Sequence, residues 1–313
     1  MRRFISLVAA VVILLNTQQA DAVIFFGGYD SYGRGILWRA NDNGSNVQEL
    51  LSGLPGGIAQ IAPDLTAGKL YWTGAGGISR ANLDGTGLEL AIPDSHNIWG
   101  VALDTMAHKV YWTERDTDRI RRANIDGSGV ETVLSGVTQP FYLALDVAHY
   151  KMYWAQSGDR GNPNAVRRAS MDGTNTETLA LGNRPFGVAL DLDHGKVYWT
   201  DPGNNAVERS NLDGTARQLL VTGSGCIGGP ALDLENGTMY WTEDASTIRR
   251  GTLSGTSITT VVQLDGRTVK DVVFVPDSAV PEPSTFVLLG MGAVGLLGYA
   301  WRGIARNLKG GVK

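Results

Sequence analysis

From about residue 61 the chain is written as short apolar runs separated by polar, glycine-rich turns, and the runs recur in a fixed order. A run such as "GVALD" is followed by a turn, then by "KVYWT", then by runs of the type "IRRANI" and "VETVL" with Asp-Gly between them. Runs of this length, rich in Val, Ile, Tyr, Trp and Thr and bounded by Gly, Asp and Asn, read as β-strands. Each repeat therefore predicts four antiparallel strands.

The spacing of the marks fixes how many repeats there are. The tyrosines of the Tyr-Trp pairs fall at Tyr71, Tyr111, Tyr153, Tyr198 and Tyr240, at intervals of 40, 42, 45 and 42. An aspartate stands seven residues earlier each time, at Asp64, Asp104, Asp146, Asp191 and Asp233. Turn glycines follow at Gly85, Gly127, Gly173, Gly214 and Gly255, and Gly44 adds a sixth. A six-fold repeat of about 42 residues has the size of a four-stranded propeller blade. The Asp-Gly turns, flanked by such runs, predict type I′ hairpins.

In a propeller both faces of a blade are covered by its neighbours. Adjacent strand residues point to opposite faces, so Tyr71 and Trp72, Tyr111 and Trp112, Tyr153 and Trp154, Tyr198 and Trp199, and Tyr240 and Trp241 predict packing of blade against blade. Five such copies are structural, not five catalytic sites. Phe25 and Phe26 take the place of the missing sixth pair, 19 residues before Gly44. "DVVFVPD" at 271–277 matches "GVALDLD" but has no second strand after it, so it predicts ring closure by the C-terminal strand, completing blade one. Closure also hides sheet edges that would otherwise template aggregation.

These repeats resemble the Tyr-Trp-Thr-Asp repeats of the low-density lipoprotein receptor family, in which six repeats form a six-bladed β-propeller. The resemblance implies an all-β, six-bladed propeller of four-stranded antiparallel blades over residues 23–279. Only Asp201 keeps the fourth motif residue; Gly74, Glu114, Gln156 and Glu243 stand at the others, and Ala155 replaces one threonine. No cysteine-rich modules accompany the propeller, so a lipoprotein-receptor role is not carried over.

The two ends carry different chemistry. Residues 1–22 place two arginines before an apolar run and end in Ala20-Asp21-Ala22, the pattern of a secretory signal peptide. At the other end, Pro281-Glu282-Pro283 precedes an uncharged stretch, Ser284–Trp301, and a basic tail with Arg302, Arg306, Lys309 and Lys313. Its 18 residues suffice for a single transmembrane helix. The order motif, span, basic tail over 280–313 resembles the Pro-Glu-Pro C-terminal sorting signal (PEP-CTERM) of Gram-negative bacteria. That resemblance implies an exosortase as partner, a membrane association through the C-terminal helix before processing, and delivery to the cell surface or an extracellular, exopolysaccharide-containing matrix. An ordinary anchor helix is the alternative.

The formal charge is −4, with about +1 on residues 1–22 and +3 on 281–313, which leaves about −8 on the body. An acidic exterior argues against nucleic acid or anionic lipid as a partner. The single cysteine, Cys226, forms no internal disulfide and reads as a buried small residue.

Loops from strand two to three share a face with those from strand four to the next strand one. They diverge in length and composition, as in "GGYDSYGRG" (27–35), "ERDTDR" (114–119) and "QSGDRGNPN" (156–164). Near the channel mouth on this face the sequence places Trp99, Phe141, Tyr142 and Phe186, expected to be exposed, with His96, Arg115, Arg160 and Arg184 beside them. Exposed aromatics among mixed charges are what a protein or glycan binding surface needs. On the opposite, turn face, His108, His149 and His194 read as surface residues, and the repeat aspartates as acceptors for turn amides.

No nucleophile elbow and no zinc motif is present, and no cofactor, metal or catalytic residue is predicted. The leading expectation is a non-enzymatic exported protein that binds an extracellular protein or polysaccharide through its loop-rich face. The alternatives are a metal-dependent hydrolase of the lactonase-like propeller class and a passive structural component of the matrix.

Overall fold

The computed structural model describes residues 22–94, 96–158, 162–223, 225 and 228–277. Residues 1–21 of the expected signal peptide, Arg160, Cys226, Pro281, Glu282, Pro283 and the expected C-terminal span lie outside the described residues. Within them the chain forms six four-stranded antiparallel sheets arranged as a six-bladed β-propeller. In each blade the first strand is innermost and the fourth outermost.

Blade one is closed by the C-terminal strand. Thr268–Val275 pairs antiparallel with Val23–Tyr29, and the sheet continues through Gly35–Asn41 to Gln48–Leu54. Val273 and Val272 face Phe25 and Phe26 as Ala62 and Ile61 face Tyr71 and Trp72. Both phenylalanines are fully buried.

The Tyr-Trp pairs explain the ring. Because the two side chains leave opposite faces of a strand, the tyrosine of one blade and the tryptophan of the next meet in one cluster. Tyr71 packs with Trp112, Tyr111 with Trp154, Tyr153 with Trp199, and Tyr198 with Trp241. Phe25 serves as the tyrosine opposite Trp72. Tyr240 meets Phe26, which stacks on Trp38 at 5.5 Å. Each interface thus holds rings from both of its blades.

An arginine latches the outer part of these interfaces. Arg80 donates to the Tyr71 hydroxyl at 3.1 Å and to the carbonyl of Ile125 in the next blade at 2.9 Å. Arg122 and Arg209 repeat this with Tyr111 and Met171, and with Tyr198 and Leu253. Arg168 reaches Leu212 in the same way. The threonine of the motif ties the inner part: Thr73 Oγ1 donates to the Trp99 carbonyl and Thr113 Oγ1 to that of Phe141, each at 2.7 Å.

On the turn face Asp64, Asp104, Asp146, Asp191 and Asp233 each accept the backbone amide three residues on, at 2.8–3.1 Å. Blade one has Val275 at that place, where no turn follows. The next turn position is left-handed in every repeat: Gly68, His108, Tyr150, Gly195 and Gly237 have φ between 51° and 65°. His149 and His194 point outward with side chains 74 % and 68 % exposed.

The Asp-Gly hairpins differ from the predicted type I′. Only the glycine has positive φ, 83° at Gly85 and 86° at Gly127, while Asp84 and Asp126 do not. Gly85 donates to the Asn82 carbonyl, and Asn82 to that of Thr86. This is a type I turn closed by a left-handed glycine. Asp84 is instead spent on the Thr86 amide and hydroxyl.

Candidate functional site

Six positions at the entry of the innermost strands surround the axis: Asp271, Gln60, Gly100, Tyr142, Gly187 and Gly229. Three side chains fill the channel and three glycines admit them. Gln60 spans the axis, its amide nitrogen donating to the Leu143 carbonyl at 3.1 Å and its amide oxygen accepting from Val101 and Leu143. The Tyr142 hydroxyl donates to the carbonyls of Lys270, at 2.9 Å, and Ala59. Asp271 accepts the Ile61 amide at 2.8 Å. A Cβ on Gly229 would lie 2.9 Å from the Tyr142 ring, and one on Gly187 only 2.1 Å from Gly229 Cα. Burial raises the Asp271 carboxyl well above the usual carboxylate range, against three backbone donors that favour its charge.

Within and above this plug lie the aromatics that the sequence placed at the mouth. Phe141, Tyr142 and Phe186 were expected to be exposed, but they are 2 %, 1 % and 4 % exposed. The correction has a simple cause: each sits at or just before the innermost strand, where the six blades converge and side chains point into the channel. Trp99 is half-buried and covers them, edge-on to Phe141 at 5.4 Å and to Phe186 at 5.5 Å. Arg115 lies over both the Trp99 and Phe141 rings and donates to Gln139 at 2.9 Å.

Beside Trp99 the loop face opens into a cavity of about 570 Å³ across blades one to three. Its walls are Tyr29 and Lys270 of blade one and His96, Asn97, Trp99 and Asp116 of blade three. Its floor is the main chain of Gly56, Gly57, Gly74, Ala75 and Gly76. The cause is local: strand two of blade two ends at Gly74 and strand three begins at Gly77, so only Ala75 and Gly76 turn the hairpin. Blades one and three use residues 30–34 and 115–118 for the same connection. Blade two is therefore a low saddle between taller loops, and the cavity is a trough over it. The Lys270 ammonium lies 5.7 Å from the centre of the Tyr29 ring.

The blade-three wall is fixed by an ionic cluster. His96 Nδ1 lies 2.6 Å from Asp94 and 3.7 Å from Glu114, and Arg121 lies 3.1 Å from Glu114 and 4.0 Å from Asp94. Trp112 Nε1 donates to Asp94 at 3.2 Å. Hydrogen bonding to Asp94, helped by the charges of Glu114 and Asp116, raises the His96 pKa against its partial burial. Burial opposes the ionisation of Asp94, but the His96 amide and imidazole still hold it below its ordinary value. Asp94, His96 and Glu114 offer ligand atoms within 4.8 Å of one another. Their charge is already met by Arg121 and the imidazole, so the cluster is built as an ion-pair network.

Of the residues singled out by sequence, the structure brings Trp99, His96 and Arg115 together at the trough, with Phe141, Tyr142 and Phe186 beneath. Arg184 is exposed on blade five, where its amide donates to Asp201 at 2.8 Å, and it does not line the trough. Sequence reasoning missed Tyr29 and Lys270, and the channel residues Gln60 and Asp271. The short "GAGG" hairpin was the available signal for the trough.

Residues 279–306 match the model of the PEP-CTERM protein-sorting motif. No curated protein matches the chain. Among solved structures the chain is similar to one in the crystal structure of a nidogen/laminin complex, at 21 % identity and a TM-score of 0.71, over 81 % of this chain and 97 % of that one. It is also similar to TolB from Acinetobacter baumannii, at 14 % identity and a TM-score of 0.67, over 82 % of this chain and 67 % of that one. At these identities the likeness is one of fold.

Proposed function

We propose that this chain is an exported, non-enzymatic propeller, displayed at the cell surface or in the extracellular matrix, that binds a protein or polysaccharide through its loop-rich face. The observation that carries the reading is the trough over blade two. An aromatic ring stands on each side, Tyr29 and Trp99, and Lys270, His96, Asn97 and Asp116 supply polar groups of both signs. Main-chain atoms of the glycine floor lie open between them. Apolar faces flanked by a few polar groups, on a pre-formed concave surface, are what a ligand site requires. The sorting motif at 279–306 implies export and handling by an exosortase, which supports a reading in which an extracellular partner meets this face. The similar chain was solved within a nidogen/laminin complex, a precedent for a propeller of this fold with a protein partner.

The hydrolase alternative draws no support from the channel. A metal-dependent site of that kind needs several carboxylates or imidazoles converging on the axis. Here the axis holds Asp271, Gln60 and Tyr142, each engaged with main chain, and three glycines.

The test is co-sedimentation of the secreted protein with extracellular matrix from the producing cells, comparing wild type with a Trp99→Ala, Lys270→Ala double variant. Saturable binding by the wild type, weakened at least tenfold in the variant (about 1.4 kcal/mol), is expected. Equal binding by the two proteins refutes the trough as the site.

A further inference from the structure

The chain leaves the propeller on the turn face and next to the axis. Thr268–Val275 is the innermost strand of blade one and runs, like every first strand, from the loop face to the turn face. Around its exit the inner strands leave a funnel of about 470 Å³ walled by Pro63, Leu145, Leu190, Leu232, Leu234 and Phe274. Nearby turn side chains are apolar and open to solvent: Met106 is 85 % exposed, Tyr150 49 %, and Leu65 and Leu192 each 39 %. The hairpin carboxylates of the same face, Asp84, Asp126, Asp172 and Asp213, sit further out, while exposed Asp193, Glu235, His108, His149 and His194 share the inner turns with these apolar side chains. The face therefore has an apolar funnel at its centre, ringed by turns that mix apolar and charged side chains.

The sorting motif begins at residue 279, directly after this exit. We propose that, while the C-terminal anchor is intact, the turn face is held against the lipid bilayer, apolar centre to the surface, and the loop face points away. Geometry excludes the reverse orientation, with the loop face against the bilayer. Residues 276–283 connect the last strand to the uncharged stretch that starts at Ser284, and eight residues reach at most about 28 Å at ~3.5 Å each. For the loop face to meet the bilayer, the tether must run outward past four strands and up the side of a blade. Three strand spacings of ~4.8 Å and a blade height of ~23 Å add to about 37 Å. The tether is too short.

The carboxylates of this face oppose anionic headgroups, so the contact depends on the tether and the high local concentration that it imposes. A consequence follows for the trough, which lies on the face that the tether keeps off the membrane.

The test places a bimane fluorophore at Met106→Cys or at Tyr32→Cys in the full chain carrying Cys226→Ser. The protein is reconstituted in phosphatidylcholine vesicles that contain headgroup-spin-labelled lipid. Both positions are more than four-fifths exposed, so neither change removes a packed side chain. Quenching severalfold stronger at 106 than at 32 is expected, and inserting about twenty Gly/Ser residues after Ser278 (a flexible coil) should bring the two together. Quenching at 32 equal to or above that at 106, no quenching at either, or a difference that survives the insertion overturns the proposal.

Discussion

Tyr71 of blade two and Trp112 of blade three share one buried cluster, 2 % and 0 % exposed, although each occupies a different position of its own repeat. The pair is duplicated along the chain because each blade must offer one ring to the neighbour before it and one to the neighbour behind. The two members do not contribute equally. Trp112→Ala leaves a cavity of indole size and is expected to lower the unfolding free energy by about 3–5 kcal/mol. Tyr71→Phe keeps the ring and removes one hydroxyl acceptor, while Arg80 keeps the Ile125 carbonyl, so about 1 kcal/mol is expected. Urea unfolding midpoints at constant slope measure both.

His108 occupies the left-handed turn position that Gly68, Gly195 and Gly237 hold in other blades, with φ of 51°. Its side chain is exposed. A non-glycine residue pays about 1–2 kcal/mol there, and glycine returns part of it as unfolded-state entropy. His108→Gly is therefore expected to stabilise the protein by about 0.5–1 kcal/mol, read as a higher thermal midpoint.

Asp271 gives the channel plug a dependence on pH. Its carboxyl is pushed up by burial, so the folded chain holds this proton more tightly than the unfolded chain does. The contribution of Asp271 to stability therefore declines as pH rises from the unfolded value of about 3.9 towards the raised folded one. Asp271→Asn removes that decline. The difference in unfolding free energy between wild type and Asp271→Asn should shift in favour of the variant between about pH 4 and 7; a difference that is flat in pH contradicts the assignment.

His96 has the opposite kind of partner. Its pKa is raised by Asp94, Glu114 and Asp116, with Arg121 as the opposing cation in the same cluster. The stabilising contribution is present in full below the unfolded value of about 6.5 and is lost as pH rises through the folded value. Hydrogen exchange of the amides at 96–99 should accelerate, beyond the intrinsic base dependence, over that window. His96→Ala should abolish the excess.

The fold was legible because its marks are periodic. Tyr-Trp, the turn aspartate and the Asp-Gly hairpin recur at blade length, and even the exception is informative, since Val275 replaces the aspartate where closure leaves no turn. The site was less legible for the same reason. Gln60, Tyr142, Asp271 and the three glycines occupy equivalent positions with unequal residues, because one channel has room for only three side chains. Phe141 and Phe186 read as loop aromatics, yet convergence of the blades buries them. Tyr29 and Lys270 lie some 240 residues apart in sequence and meet only because the last strand closes the first blade.

The claim that the trough on the loop face is the binding surface is tested most directly by hydroxyl-radical footprinting of the protein with and without bound extracellular matrix. Binding through the trough predicts protection of Tyr29 and Trp99, with Met106 and Tyr150 on the turn face oxidised at an unchanged rate. Protection confined to Met106 and Tyr150, or saturable binding that leaves Tyr29 and Trp99 unprotected, would contradict it.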